Sequence, residues 1–357
     1  MQKYKMANKG LPNYKILCLL IFSGAFWSCD KQKQEGLTDN VVEDTIKIAF
    51  YNVENLFDTE DDLTNAGDDE FTSDGKLNWT NEKYRKKLSM LTEVIAAMGY
   101  PEIVGLAEVE NKDVLDDWVA LSAMQNKDYQ VAHLESNDYR GIDASLIFRA
   151  SAFKVLRVED HVISFPDDPD YRTRDIFMVK GTLENQDTIH LFVNHFPSRR
   201  GGQERSEPKR VLVASQLNSL IENTFEMDAD AKVIVMGDFN DEPFNKSMAE
   251  TLGATKEKST QAEVLYNTMW QLTEQGIGSN KYRGNWQMLD QIILSGKLLD
   301  DQGYQYIPQS AQVFNKDWLL QQSGDYKGYP DRTYAGENYL GGYSDHLPVM
   351  IELYRPE

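Results

Sequence analysis

Cysteine is nearly missing from this chain. Of its 357 residues two are cysteine, Cys18 and Cys29, and both precede residue 30. That excludes a disulfide framework from the body of the protein, together with a thiol nucleophile or a cysteine-rich zinc site there. Basic charge is also short: the formal net charge is −20 at pH 7. A broad surface that holds nucleic acid by neutralising its phosphates is therefore not expected. A site that grips one phosphate through a divalent cation stays permitted, because the cation brings the positive charge. Internal repeats are lacking, and so is a second long apolar run.

The one apolar run, Ile16 to Trp27, is too short to span a bilayer as a stable helix and has the length of a signal-peptide core. It follows Lys3, Lys5, Lys9 and Lys15 and ends at Ser28-Cys29-Asp30. This resembles a bacterial lipoprotein signal. Cleavage after residue 28 leaves Cys29 as the lipidated first residue, although Phe26 and Trp27 depart from the small residues usual before it. Residues 29–44 are polar and read as a flexible tether. The expectation is a cell-envelope protein held to a bacterial membrane by its lipid alone.

What remains, residues 45–357, alternates strand and helix patterns and reads as one α/β domain. The stretch Lys232 to Asp241, KVIVMGDFND, is the most informative. Val233 to Met236 has the length and β-branched content of a buried strand. It stops at Gly237 and delivers Asp238 and Asn240 at its carboxyl end, where α/β enzymes place their chemistry. An Asx-rich turn would look the same.

The pattern recurs. Thr45 to Tyr51 reads as a half-buried strand leading into Asn52. Glu102 to Glu110 reads as a buried strand delivering Glu108, a charge that is costly there unless paired or bound to metal. Thr188 to Phe196 ends in Asn194 and His195 and runs into a basic loop with Arg199 and Arg200, suited to phosphate. Trp286 to Ser295 reads as one strand that carries Asp290. Asp345 and His346 stand just before the last strand. Thr80 caps a helix to about Met98, with Tyr84, Leu88, Leu91, Ile95 and Met98 inward and Lys83, Arg85, Lys86 and Lys87 on the rest of the surface. Glu207 to Phe225 reads as a second helix, Asn245 to Ala254 as a short third, and residues 300–340 as irregular. Arg172 and Arg174 read either as a phosphate clamp or as surface charge.

Together the segments FYNVEN (50–55), LAEVE (106–110), NHFP (194–197), GDFND (237–241), LDQIILS (289–295) and SDHLPV (344–349) resemble the endonuclease/exonuclease/phosphatase superfamily, with its DNase I-like fold. The resemblance implies a four-layered α/β sandwich: two packed mixed β-sheets flanked by helices, with the active site where strand ends converge. It implies that Glu108 is the principal Mg²⁺ ligand, with Asn52 and Asp345 beside it and Mn²⁺ as a substitute. Asp238 then activates the attacking water, and Asn240 holds a phosphate oxygen. His346 contacts the scissile phosphate and is oriented by Asp290. His195 serves the leaving oxygen, with Asp143 as its carboxylate partner. Tyr139, Arg199 and Arg200 are implied phosphate contacts. The activity so implied is Mg²⁺-dependent phosphate-ester hydrolysis by a monomer acting on nucleic acid, nucleotide or phospholipid headgroup, a phosphodiesterase or nuclease first of all. A phosphomonoesterase or lipid-headgroup phosphodiesterase, and a non-catalytic binding lipoprotein, are the alternatives.

Overall fold

A computed structural model describes residues 45–62, 67–184 and 187–356. Residues 1–44, on which the expected signal segment, Cys29 and the expected tether fall, lie outside the described residues. From the amino end come β1 (Thr45–Leu56), α1 (Asn81–Ala97), β2 (Ile103–Val109), α2 (Lys112–Val119), α3 (Ser122–Gln125), β3 (Tyr129–Ala132), β4 (Asp143–Arg149) and β5 (Phe153–His161). Then come β6 (Ile176–Leu183), β7 (Thr188–His195), α4 (Gln203–Met227), β8 (Lys232–Asp238), β9 (Tyr266–Asn267) and α5 (Trp270–Glu274). The last part holds β10 (Asn280–Tyr282), β11 (Asn285–Gln287), β12 (Asp290–Leu294), β13 (Gln305–Tyr306), β14 (Gln312–Val313), β15 (Tyr334–Ala335), β16 (Asn338–Tyr339) and β17 (Val349–Tyr354).

One sheet runs β13-β17-β1-β2-β4-β3, with β14 also on β17; the other runs β5-β6-β7-β8-β12-β9. Both are mixed. Within the first, β1 and β2 are parallel while β1 and β17 are antiparallel. In the second, β7 and β8 are parallel while β8 and β12 are antiparallel.

Side-chain alternation explains how the sheets stack. In β1, Ile46, Ile48 and Phe50 enter the core between the sheets, where Ile234 and Met236 of β8 meet them. The intervening Ala49, Tyr51 and Val53 pack outward with Leu88, Leu91 and Val94 of α1. Val233 and Val235 of β8 face Val213 and Leu217 of α4. Strands buried on both faces must be apolar throughout, hence the unbroken run in β8. Four layers result, as expected.

Some local expectations change. The strand read from Trp286 to Ser295 breaks at Met288-Leu289, giving β11 and β12. The helix read from Glu207 is longer at both ends, Gln203–Met227, and the short helix after Asn245 is a single π-type turn, Ser247–Thr251. Lys87, placed on the outer face of α1, is 2% exposed. Position 87 is three after Tyr84 and four before Leu91, so it shares their stripe. Among the described residues no helix is long and apolar enough to cross a membrane.

Candidate active site

Strand register builds the centre of the site. His195, the last residue of β7, pairs with Asp238, the last of β8, and Asp238 pairs in turn with Asp290, the first of β12. Three polar residues thus stand in one row at the edge of the second sheet. Gly237 allows it: a Cβ there would lie 2.3 Å from the Asn194 carbonyl oxygen. On the opposite sheet β1 loses its register after Asn52, and β2 bulges between Ala107 and Val109. The backbone takes positive φ at Glu54 (51°), Asn55 (52°), Glu108 (66°) and Asn240 (49°). Non-glycine residues held there are strained, and strain of this kind gathers at functional sites.

The side chains converge across the gap between the sheets. Asn52 Nδ2 donates to Asp238 Oδ2 at 3.1 Å, and the Asn240 N–H donates to Asp238 Oδ1 at 2.9 Å. His195 Nε2 lies 3.6 Å from Asp238 Oδ2 and 3.8 Å from Glu108 Oε1. His346 Nε2 lies 3.8 Å from Asp238 Oδ2, while its Nδ1 donates to Asp290 Oδ2 at 2.6 Å. Glu108 Oε2 accepts the Asn55 N–H at 3.0 Å. Asn52, Glu108, His195, Asp238, Asp290 and His346 therefore form one cluster. Asn240 serves it mainly through its backbone, since its Nδ2 donates to the Phe196 carbonyl at 3.1 Å.

The electrostatics distinguish the two histidines. Burial alone would lower the His346 pKa, but Asp290 and Asp238 together hold it well above its ordinary value, which favours the imidazolium. His195 is driven well below, by burial first and then by the charges of Arg174, Arg140 and His346, and is neutral. Burial and the nearby Asp290 push Asp238 up to about 6, against His346 and the hydrogen bonds from Asn240 and Asn52. A base poised near neutrality results.

Beyond the cluster, Arg332 reaches Asp345 Oδ2 at 3.1 Å and Glu54 Oε1 at 3.4 Å. Glu54 is 3% exposed; burial, then the charge of Asp345, raise it to about 7. Burial is the first cause of the rise at both Glu54 and Asp238, and a neighbouring carboxylate adds to it at each. Glu108, Asn52 and Asp345 offer hard oxygen donors of the kind that a divalent cation takes, and Asp238, Asp290 and His346 form a group compact enough to hold one. The Asn52 amide oxygen already accepts the Glu54 N–H at 3.0 Å and keeps a second lone pair.

Two expectations are corrected. Asp143 does not partner His195: its Oδ2 meets His133 Nε2 at 3.0 Å and its Oδ1 accepts the Ser136 N–H at 2.9 Å. The β3–β4 pairing sets His133 diagonally across from Asp143, while Nδ1 of His195 has no hydrogen-bond partner. Arg199 does not reach outward to a phosphate. Its Nε donates to the Asn240 carbonyl at 2.6 Å and its Nη2 to Asn245 Oδ1 at 3.0 Å, so it shapes the turn after β8. Arg174, left open between clamp and surface, is buried and braces the His195 and Phe196 carbonyls at 3.1 and 2.7 Å. Tyr139 and Arg200 do border open space. With Glu54, Asn55, Arg140 and Arg332 they line a cavity of about 1100 Å³ that adjoins the cluster rather than covering it. Sequence reasoning gives no site role to Glu54, Lys87, Arg140 or Arg332.

A hydrolase of phosphate esters is the class with which this fold and cluster agree. The model of the Endonuclease/Exonuclease/phosphatase family matches residues 47–355, and the chain belongs to that family. It is accordingly a phosphoric ester hydrolase, of a family that typically uses a divalent metal. Solved structures share its architecture. Humanized D. rerio TDP2 with 14 mutations matches at TM-score 0.53 and 14% identity, over 87% of this chain and 98% of that one. The human Nocturnin catalytic domain matches at 0.51 and 16%, over 88% and 94%. A Bacteroides thetaiotaomicron mannosyl-6-phosphatase matches at 0.50 and 15%, over 86% and 99%. At such identities the likeness speaks for the fold alone. No curated protein matches this chain.

Proposed function

We propose that the protein is a Mg²⁺-dependent phosphodiesterase acting on nucleic acid. The supporting observation is the convergence of two histidines, His195 at 3.6 Å and His346 at 3.8 Å, on one carboxylate, Asp238. Glu108, with Asn52 and Asp345, would hold the ion, which would neutralise charge on the phosphate oxygens. Asp238 takes the proton of the attacking water. Asn52 and the Asn240 N–H fix its two oxygens, so the basic lone pair has one direction. His346, cationic and oriented by Asp290, donates from Nε2 to a phosphate oxygen as negative charge grows there. His195, its pKa lowered in the free protein, stands on the leaving-oxygen side, where its Nε2 would hydrogen-bond the departing oxygen, and water would supply the proton that this oxygen needs. Arg200 and Tyr139 contact the flanking phosphate.

The test is a panel of plasmid DNA, RNA, bis-p-nitrophenyl phosphate and p-nitrophenyl phosphate, with EDTA and with Mg²⁺ or Mn²⁺ restored. Diester cleavage that EDTA abolishes and Mg²⁺ restores is expected. Release of phosphate from the monoester alone would make the protein a phosphomonoesterase instead, and chelator-resistant cleavage would remove the metal role from Glu108. Lipidation at Cys29 belongs to the same proposal, motivated by the basic leader and short apolar run. Radiolabelled palmitate should enter the wild-type chain and not Cys29→Ser; equal labelling would refute the anchor.

A further inference from the structure

On the Asp345 side of the cluster lies a second groove, of about 700 Å³, which shares only Asp345 with the steps above. Its walls are Lys281, Tyr282 and Arg283 from the β10–β11 hairpin and Tyr326 and Tyr329 from the segment that follows β14. Tyr282 and Tyr326 are 57% and 61% exposed. The Arg283 guanidinium sits 5.2 Å from the Tyr282 ring centre. Lys281 Nζ lies 5.0 Å from the ring centre of Tyr329 and 5.1 Å from that of Trp286, and donates to the Gly328 carbonyl at 3.1 Å. That ammonium pins the two walls together.

Charge sets this groove apart. The chain as a whole carries −20, yet the groove's lining has Lys281, Arg283 and Arg332 against Asp345 alone. The groove is also rigidly tied to the chemistry. Asn280, at the root of the hairpin, forms a backbone bridge with His346, and its Nδ2 donates to the Asp345 carbonyl at 2.9 Å. The Leu347 N–H donates to the Ser279 carbonyl at 2.7 Å. At the tip the chain turns through positive φ at Arg283 (48°) and Gly284 (87°), which sets Tyr282 and Arg283 at the end of the ladder.

Exposed tyrosines are ordinary on a protein surface. Here they come with cations, in a groove whose wall is hydrogen-bonded to the catalytic histidine's own backbone. Flat rings beside positive charge suit a ligand with π-faces on an anionic backbone. A lipid surface would call for a contiguous aliphatic face, and Leu340, Pro330 and Ala335 are the aliphatic residues of this lining. We propose that the groove is a base-stacking subsite for single-stranded nucleic acid, holding the bases next to the hydrolysed phosphate on Tyr282 and Tyr326. The inference rests on the phosphodiesterase reading and gives it a substrate form.

The experiment compares the full chain with Tyr282→Ala/Tyr326→Ala on two 5′-labelled oligomers of equal length and charge, an oligothymidylate and its abasic counterpart. One base–aromatic stack should change KM by about five-fold or more. The double variant should therefore raise KM about 25-fold or more on the oligothymidylate, leave kcat within about two-fold, and leave the abasic substrate unchanged. Wild-type rates on the abasic oligomer also certify the variant's fold. Tyr282→Trp/Tyr326→Trp should restore the lost discrimination. Equal KM on oligothymidylate for wild type and double variant, or equal loss on both oligomers, would overturn the subsite while leaving the diesterase reading intact. If the wild type cleaves neither oligomer and turns over only p-nitrophenyl phosphate, that reading falls and the subsite with it. Loss of binding to phosphatidylglycerol vesicles with oligomer kinetics untouched would assign the groove to a lipid surface and overturn the proposal.

Discussion

The two sides of the active-site rim are built differently. On one side His195, Asp238 and Asp290 stand in register on three adjacent strands, and backbone ladders fix their order. On the other side, residues 331–345 are clasped by side chains. Glu54 accepts the Thr333 N–H at 2.6 Å and the Tyr334 N–H at 3.3 Å. Lys87 donates to Thr333 Oγ1 and to the Tyr343 carbonyl, each at 2.6 Å. Burial lowers Lys87 to about 8, with Glu54, Asp345 and Glu108 opposing. The row is held by main chain, so its side chains are free for chemistry. The clasp is held by buried charge, so its side chains carry structure. Substitutions should therefore separate the two: the row should lose rate, and the clasp should lose stability.

The largest effect belongs to the row. Asp238→Asn keeps the shape of the side chain and removes the base, so kcat should fall by about 10²–10⁴ with little change in unfolding midpoint. The pH profile carries the sign. Asp238 acts when ionised, and its pKa is raised to about 6. Wild-type kcat/KM should therefore drop as pH falls through that region, while the residual rate of Asp238→Asn lacks that limb. An unchanged acid limb in the variant would move the base elsewhere.

Lys87→Met probes the clasp. It takes away a buried cation and the two hydrogen bonds that it donates across the clasp, and bonds from a charged donor are worth about 1.5–3 kcal/mol each. Urea unfolding should show that loss. Glu54→Gln added to Lys87→Met should recover part of it, since an amide needs no counter-charge. Because the clasp positions Asp345, half-saturating Mg²⁺ should rise in Lys87→Met, and saturating Mg²⁺ should bring kcat back to within about ten-fold of wild type. A wild-type midpoint in urea would show that the clasp is not a structural element.

The same difference explains what could be read in advance. Apolar runs that end in Asp, His or Asn are local patterns, and sheet register converts them directly into a row; the order of the segments carried the rest. The clasp joins residues that are local to nothing: Glu54 and Thr333 are 279 positions apart. Lys87 had a local signal in its place on the apolar stripe of α1, outweighed by three other basic residues within five positions. A basic, glycine-bearing loop suits phosphate, whereas the turn after β8 presents the Asn240 carbonyl and the Asn245 side-chain oxygen, which the Arg199 guanidinium satisfies first. Tyr282 and Tyr326 sit in stretches with no periodicity, where only the fold sets which rings share a groove.

The smallest effect tests the corrected pairing. Had Asp143 oriented His195, replacing it would disturb the leaving-oxygen side of the row. Instead Asp143 fastens His133 and the Ser136 N–H, at the end of β3. Asp143→Asn keeps one acceptor oxygen for Ser136, so the turn should persist. Turnover of bis-p-nitrophenyl phosphate should stay within about two-fold of wild type, and His195 should keep its chemical shifts and its low pKa in a histidine NMR titration. The resonances of His133 should move. A shift at His195 with His133 unmoved would restore the pairing that the hydrogen bonds argue against, and would place a carboxylate, rather than Arg174 bracing the backbone, in charge of how that ring is aimed.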